Sequence, residues 1–300
     1  MKAAFSLRGG FNGGTLASAL NMLDSGQADA LADPWLLNPA DTRPPAGPTD
    51  ADPVAPHRDA DFKAWVGPFF MGPVNTRVVR RSAALLDYGP GFHYQEYLRF
   101  GSGAAAALMA AGLSAGMGAS QAALKLAPVR ALARRLAPAP GEGPSEDSMN
   151  RGGFRCELVG FGARGTVARA RVAASGDPGN RATTVMVCEA ALALALDARA
   201  LPGGKSGGGV LTPASGLAGM ISRSAAKSSI CRRSLNSTLA VRRVPADSMP
   251  CPAGRRISSR MRSPRCGAAA NTRLARRLNA GALLLWALNP LNQLVMPGEQ

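Results

Sequence analysis

Two short segments of the sequence combine residue types that could hold an anionic ligand. Gly13, Gly14 and Thr15 stand where a helix is expected to begin, and free backbone amides together with the helix dipole favour an anion or a carboxylate there. Asn75 and Arg77 lie at the start of a second predicted helix, where a guanidinium could bind a carboxylate or a phosphate through paired donors. A helix cap and a solvated helix face explain the same residues, so both interpretations stay open. The sequence identifies no catalytic residue.

Two glycine patterns have the spacing of a dinucleotide fingerprint. GxGxxG at 160–165 is followed by strand-like sequence, whereas the fingerprint must lead from a strand into a helix, so a hairpin turn is the better interpretation. GxGxxA at 101–106 does lead into a predicted helix, but the next acidic residue is Glu142, and the preceding YQEYLRF is too polar for a central parallel strand. We therefore predict that this chain alone binds no nucleotide cofactor.

The sequence contains few residues that could bind a metal or perform thiol chemistry. The chain has two histidines and five cysteines without a CxxC pair, which predicts no metal site. The cysteine count is odd, and no apolar secretory segment follows Met1, so we expect reduced thiols and a cytoplasmic protein.

The periodicity of the sequence predicts an α+β fold, with a small antiparallel sheet or hairpin packed with helices. Helices are predicted over residues 15–24 and from a cap at Asn75 or Thr76 to Gly89. A proline-rich stretch at 33–61 is predicted to be a long surface loop. Alternating apolar residues over 154–172 predict a β-hairpin, and the GDPGN turn at Gly176 leads into an apolar helix.

The run of residues 100–124 contains no charged side chain and then continues into a helical pattern that carries Arg130 and Arg134. It is long enough to span a bilayer, but its alanines and glycines make it weakly hydrophobic, which favours a buried or interfacial helix. The cationic end suits either an anionic lipid surface or a helix C-terminus. Association with a membrane surface therefore remains an alternative.

Charge divides the chain near residue 219. Of the net charge of +16, most lies in residues 220–300, which hold 14 lysines and arginines against two acids, together with three of the five cysteines. We expect two parts: a folded domain over 1–219 and a basic tail over 220–300 that is disordered or derived from a frameshift. A basic arm for nucleic acid is the alternative for this tail, and we consider nucleic acid an unlikely partner.

Six blocks of sequence, taken in order, resemble the saccharopine dehydrogenase-like oxidoreductases that include the trans-acting enoyl reductases. The blocks are GGTLASALNML from Gly13, WVGPFFMGPVNTRVVRRSAALL from Trp65, YGPGFHYQEYL from Tyr88, PGEGPSE from Pro140, the DPG turn with CEAALALA, and GGVLTPAS ending at Ser215. Asn180 departs from the family, which usually has tyrosine after DPG.

The resemblance implies an oxidoreductase ancestry and a substrate-side domain. Family members place a Rossmann domain for NAD(P) before these blocks, whereas Met1 of this chain stands almost directly before the first block. We therefore expect a fragment that lacks the cofactor domain and is inactive alone. Its expected partner is a cofactor-binding domain or a second copy of the chain. The alternative is an interaction or membrane-surface protein built on the remaining domain.

Overall fold

The computed structural model of the protein describes residues 1–10, 13–44, 50–89, 91–139, 141–162, 165–201, 209–217 and 238–243. Within these residues, seven strands form one mixed sheet in the order β2-β3-β4-β1-β5-β6-β7. The strands are Lys2–Arg8 (β1), His57–Asp59 (β2), Ala64–Pro68 (β3), Gln95–Gly101 (β4), Gly153–Gly162 (β5), Gly165–Ser175 (β6) and Thr238–Arg243 (β7).

Helices connect these strands and pack against the sheet. The α-helices are Gly13–Asp24 (α1), Gly72–Leu85 (α2), Ala104–Ala123 (α3), Ala127–Leu136 (α4), Glu146–Arg151 (α5), Arg181–Leu196 (α6) and Pro213–Leu217 (α7). Short 3₁₀ helices occupy Gln27–Ala32, Ala40–Thr42 and Ala198–Ala200. The predicted α+β class is confirmed. The sheet is larger than predicted, and it is mixed because β1 and β4 pair in parallel while the other described pairs are antiparallel.

The predicted hairpin is formed by β5 and β6. The two strands pair antiparallel from Gly153 opposite Ser175 to Gly162 opposite Gly165. Gly165 has a φ of 103°, a conformation that glycine adopts without steric cost. The glycines of the GxGxxG pattern therefore lie in the paired ends of this hairpin, in agreement with the hairpin that the sequence predicts.

Side chains alternate between the two faces of the sheet and build two separate apolar clusters. On the first face, Ala3 and Phe5 of β1 belong to a cluster that includes Val79 of α2 and Ala182 of α6. On the second face, Ala4 belongs to a smaller cluster whose other members are Phe62, Ala64, Val66, Tyr97 and Val159. Helices α2 and α6 therefore cover the first face, where the larger core lies.

Helix α2 begins earlier than the sequence predicts. It starts at Gly72 with a proline in its first turn, which suits a helix start because proline lacks the amide that would have no partner there. The predicted caps Asn75 and Thr76 therefore lie inside the helix, and the Thr76 hydroxyl donates to the Gly72 carbonyl at 2.8 Å.

The uncharged run at 100–124 is neither fully buried nor continuous with the basic helix that follows it. Helix α3 ends at Ala123, and a separate helix, α4, starts at Ala127 with Pro128 in its first turn. In α3, Ala106 and Ala110 are buried, whereas Leu108 is 74% exposed and Met109 is 56% exposed. None of the helices in the described segments is both long and apolar enough to cross a membrane.

Two arginines of the basic end have partners inside the protein. Arg130 donates through Nη1 to the carbonyls of Leu124 and Lys125 at 3.0 and 2.9 Å, just beyond the C-terminus of α3. Arg130 and Arg134 both form ion pairs with Asp24 at the end of α1. These contacts support the interpretation of the basic end as a helix terminus.

The remaining domain predictions concern the loop at 33–61 and the tail. Within the loop, the structure places strand β2 and the buried carboxylates of Asp50 and Asp59. Within residues 220–300, the structure describes Thr238–Arg243, which pair with β6 as an additional strand. The rest of the predicted disordered tail lies outside the described residues, as do the boundary at 219 and residues 45–49 of the loop.

Candidate functional site

A cavity of about 420 Å³ lies on the first face of the sheet, beside the end of β1 and the start of α2. Most of its lining is apolar, and helix α3 contributes Met109 and Leu113 to one wall. The polar residues of the lining are Thr15, Asn75, Arg99 and Thr183. The other lining residues are Phe5, Leu7, Gly9, Gly10, Phe69, Phe70, Met71, Leu98, Phe100, Pro178 and Gly179. A cavity of this size, apolar with few polar groups, is typical of a small-molecule site.

Close backbone packing joins the end of β1 to the turn before α6. A Cβ atom on Gly9 would lie 2.8 Å from Pro178 Cδ and 2.9 Å from Asp177 Cβ, so only glycine fits there. Asp177 is fully buried, and its carboxylate accepts from the amides of Gly179 at 3.0 Å and Arg181 at 3.1 Å. This carboxylate takes over the capping of α6, since Asn180 makes no side-chain cap bond. The wall of the cavity is therefore built from a fixed turn.

A buried polar cluster lies next to the cavity. Glu96 of β4 is 1% exposed, and its two carboxylate oxygens accept from the Tyr94 hydroxyl at 2.7 Å and from Asn75 Nδ2 at 2.9 Å. Burial raises the pKa of the Glu96 carboxyl to about 7, although the hydrogen bonds from Tyr94 and Asn75 favour the ionised form. Asn75 links this carboxyl to the cavity because it also lines the cavity wall.

The same burial raises the pKa values of two neighbouring groups. The Tyr94 hydroxyl and the buried Cys156 thiol both have pKa values well above their ordinary values, first because of burial and then because of the Glu96 charge. Neither group therefore ionises near neutral pH. The Tyr94 hydroxyl remains a donor to Glu96.

The structure brings together only some of the predicted site residues. Thr15 and Asn75 line the same cavity although 60 residues separate them in the sequence. The Gly13 amide donates to the Glu142 carbonyl at 2.9 Å, and a Cβ on Gly13 would meet the Ala139 carbonyl oxygen at 2.2 Å. Gly14 follows in α1 and is not part of the cavity wall. Gly13 therefore serves packing, and its amide already has a partner.

Arg77 lies away from the cavity. It is 2% exposed, pairs with Asp52, and donates to the backbone carbonyls of Leu31 and Asp33. These bonds hold the polypeptide that precedes β2 against α2. Arg77 therefore anchors the proline-rich segment. Its side chain is buried and does not lie on a solvated helix face, which was one of the two interpretations of the sequence.

The glycine pattern at 101–106 follows an interior strand of the sheet, which the sequence did not predict. The expectation that YQEYLRF is too polar for a central strand is wrong, since β4 lies between β3 and β1 and pairs in parallel with β1. Its polar side chains have partners: Glu96 bonds Tyr94 and Asn75, and Gln95 accepts from Tyr97 at 2.6 Å. Polarity therefore did not exclude an interior strand.

Even so, the segment around α3 does not fit a dinucleotide. After α3 the chain continues through α4 and α5 to β5, which runs antiparallel to β1, whereas a dinucleotide fold needs a second parallel strand. No acidic residue that could hold a ribose occurs between Gly103 and Glu142. These residues therefore do not fit NAD(P).

Metal binding finds no support in the described segments, where no group of three potential metal ligands occurs. The absence of a metal remains a prediction for the whole chain.

Glu96 and the apolar cavity wall were missed by the sequence analysis. The available signal was an acidic residue inside the alternating segment YQEYLRF, since a carboxyl in such a segment must find partners when it is buried.

The chain is similar in sequence to several mycobacterial proteins. A Mycobacterium tuberculosis (strain H37Rv) protein that is named as a trans-acting enoyl reductase is 39% identical over 229 residues, covering 71% of this chain and 53% of the relative. The trans-acting enoyl reductase of Mycobacterium ulcerans (strain Agy99) is 35% identical over 222 residues, covering 69% of this chain and 52% of the relative. That of Mycobacterium bovis (strain BCG / Pasteur 1173P2) is 35% identical over 158 residues, covering 51% and 37%.

The chain spans about half the length of the first two of these curated relatives. No family model matches the sequence. No solved structure matches it either. By sequence, this chain is a relative of the trans-acting enoyl reductases.

Proposed function

We propose that this chain forms the substrate side of a saccharopine dehydrogenase-like oxidoreductase of the enoyl reductase type, and that its cavity holds the unsaturated acyl chain. The observation that carries the proposal is the cavity of about 420 Å³, whose walls are mostly apolar. An acyl chain gains free energy when it leaves water for such walls, and a few polar groups suffice to orient it. The names of the relatives supply the chemical class, an enoyl group.

The reduction of an enoyl group also needs a hydride donor. NAD(P) is the donor that the family resemblance implies, and the residues around α3 do not fit it. We propose that the nucleotide is bound by the half of the relatives that this chain does not match, and that this chain transfers no hydride by itself. A cofactor-binding domain from elsewhere, or a second copy of the chain, would then complete the enzyme.

Filling the cavity is expected to weaken acyl binding. An eight-carbon trans-enoyl thioester of N-acetylcysteamine should bind the native chain saturably, as measured by titration calorimetry. Leu113→Trp should weaken this binding about tenfold or more, because the indole takes the volume that the acyl chain needs.

The control for this prediction lies on the same helix. Leu108 is 74% exposed and is not part of the cavity wall, so Leu108→Trp should leave the affinity unchanged. Equal weakening by both tryptophans, or no binding to the native chain, would refute the assignment of the acyl site.

The proposal that the nucleotide is bound elsewhere predicts that this chain alone binds neither NADH nor NADPH. NADH and NADPH should show no saturable binding to micromolar protein, since the glycine pattern that leads into α3 is followed neither by an acidic residue before Glu142 nor by a further strand parallel to β1 in the described segments. Tight binding of either nucleotide would show that this chain carries a cofactor site of its own.

A second candidate function follows from the exposed apolar side chains of α3. Residues 104–123 carry no charge, and Leu108 and Met109 are more than half exposed. Such a face could lie on a membrane surface or on a partner protein. If the alternative is right, the native chain should float with anionic liposomes and Leu108→Glu/Met109→Glu should not. We favour the acyl-binding function, under which both proteins stay at the bottom of the gradient.

A further inference from the structure

Asn75 has one amide atom with a partner and one without. It lies in the first turn of α2, is 3% exposed, and donates through Nδ2 to Glu96 Oε2 at 2.9 Å. Its other amide atom, Oδ1, makes no hydrogen bond within the described part of the chain. Oδ1 is also not among the buried side-chain atoms that lack a partner, so it keeps some access to the cavity that Asn75 lines. The asparagine therefore offers its oxygen to whatever occupies the cavity.

The orientation of this amide is determined by the groups beneath it. Tyr94 donates its hydroxyl hydrogen to Glu96 Oε1 at 2.7 Å, so only Oε2 of the carboxylate faces Asn75. An ionised carboxylate can only accept hydrogen bonds, so the NH₂ group of Asn75 must turn toward it. Tyr94 and Glu96 are 2% and 1% exposed, and water therefore has little access to replace either bond.

We propose that Glu96 and Tyr94 are positioning residues that hold Asn75 Oδ1 as a fixed hydrogen-bond acceptor in the apolar cavity, so that the cavity selects apolar chains that carry an N–H or O–H donor. This inference deepens the proposed function and rests on it for the identity of the chain as an acyl group. The amide of a thioester arm is one donor of this class. A buried acceptor that meets no donor keeps its desolvation cost, and this cost is the source of the selectivity.

A pair of small amides tests the acceptor without relying on the enoyl function. N-methyloctanamide carries one N–H donor, and N,N-dimethyloctanamide has nearly the same size and no donor. At pH 8, where Glu96 is mostly ionised, titration followed by NMR should show about tenfold tighter binding of the first amide by the native chain. Asn75→Leu replaces the amide by an apolar side chain of similar size, so this variant should bind the two amides equally.

Changing the residue beneath Asn75 should invert the preference, which a merely structural role would not do. In Glu96→Gln, Oε1 faces Tyr94 to keep that donor bonded, so the new NH₂ group faces Asn75. Asn75 must then turn its oxygen toward residue 96 and present its NH₂ group to the cavity. The preference for N-methyloctanamide should disappear or reverse in favour of the dimethyl amide, which only accepts.

Removing the Tyr94 hydroxyl as well should restore the native preference. In Tyr94→Phe/Glu96→Gln, the glutamine is free to turn its oxygen toward Asn75 Nδ2, so Asn75 again presents its oxygen. Tyr97→Phe is the matched control, because Tyr97 belongs to the apolar cluster on the opposite face of the sheet and its hydroxyl donates to Gln95. This variant should leave the ratio of the two affinities at its native value.

Each outcome decides the proposal. The predicted preference, its loss in Asn75→Leu and its change in Glu96→Gln support the positioning role. Equal affinities in the native chain, no binding of either amide, or an unchanged preference in Glu96→Gln would overturn it. If the amides behave as predicted and the enoyl thioester does not bind, the acyl function fails while the positioning of Asn75 stands.

Discussion

Replacing Arg80 by methionine is expected to lower the free energy of unfolding by about 3 kcal/mol, because three carbonyl groups lose their donor and two of these bonds are buried. Arg80 is 1% exposed and donates to the carbonyls of Pro34, Asp50 and Tyr94 at 3.1, 2.7 and 3.3 Å. Its guanidinium carbon also lies 5.4 Å from the centroid of the Trp35 ring. One side chain therefore joins the proline-rich segment, α2 and the residue that precedes β4. Urea denaturation followed by circular dichroism measures the loss.

The neighbouring arginine provides the control. Arg81 donates to the carbonyls of Leu37 and Val210 at 2.6 and 3.2 Å, but both bonds lie at the surface. Water can take its place there, so Arg81→Met should change the free energy of unfolding by less than about 1 kcal/mol. A small effect of Arg80→Met, similar to that of Arg81→Met, would mean that the segment at 33–61 does not depend on Arg80.

Glu96→Gln is expected to change how stability depends on pH. The pKa of Glu96 is about 7 in the folded protein, which is above the ordinary value of 4.5 that applies when the chain is unfolded. The protonated carboxyl therefore stabilises the fold fully below pH 4.5, and this contribution is lost as the pH rises to about 7. A shift of this size corresponds to about 3 kcal/mol between pH 4.5 and 8. A glutamine does not titrate, so the variant should lack this decline.

The measurement is the difference in unfolding free energy between the variant and the native chain across this pH range. As the pH rises, the native chain should lose about 3 kcal/mol of unfolding free energy relative to Glu96→Gln, and most of this loss should fall between pH 5 and 7. Other titrating groups contribute to both proteins and cancel in the difference. A difference that stays constant with pH would show that Glu96 titrates in the folded protein as it does in the unfolded chain.

Local sequence signals predicted several elements of the fold correctly. The alternation over 154–172 predicted the hairpin of β5 and β6, because one face of that pair contributes Phe154, Cys156 and Val172 to the core. The GDPGN turn predicted the start of α6, and Asp177 indeed caps it. These features depend on residues close together in the chain, so a single sequence contains enough information to locate them.

Other elements could not be found from local patterns. Strand β1 is a short segment that ends at two glycines, and its only described strand partners are β4 and β5, which are more than 80 residues away. Strand β4 carries Gln95, Glu96 and Arg99, and its polarity argued against an interior position. The interior position of β4 is tolerated because Tyr94 and Asn75 donate hydrogen bonds to the buried Glu96 carboxyl. The sequence alone does not reveal either hydrogen bond.

The sequence by itself determined the α+β class, the hairpin, most helices and the relation to the trans-acting enoyl reductases, because these follow from periodicity, turn chemistry and matching blocks. Only the tertiary structure decided the cavity and its chemistry. It brought Thr15 and Asn75 to one wall, placed Arg77 in a buried ion pair with Asp52, and joined Asn75 to Glu96. The physical reason is that burial and hydrogen-bond partners across the sheet decide whether a polar residue anchors the backbone or faces a ligand, and both depend on contacts between residues that are distant in sequence.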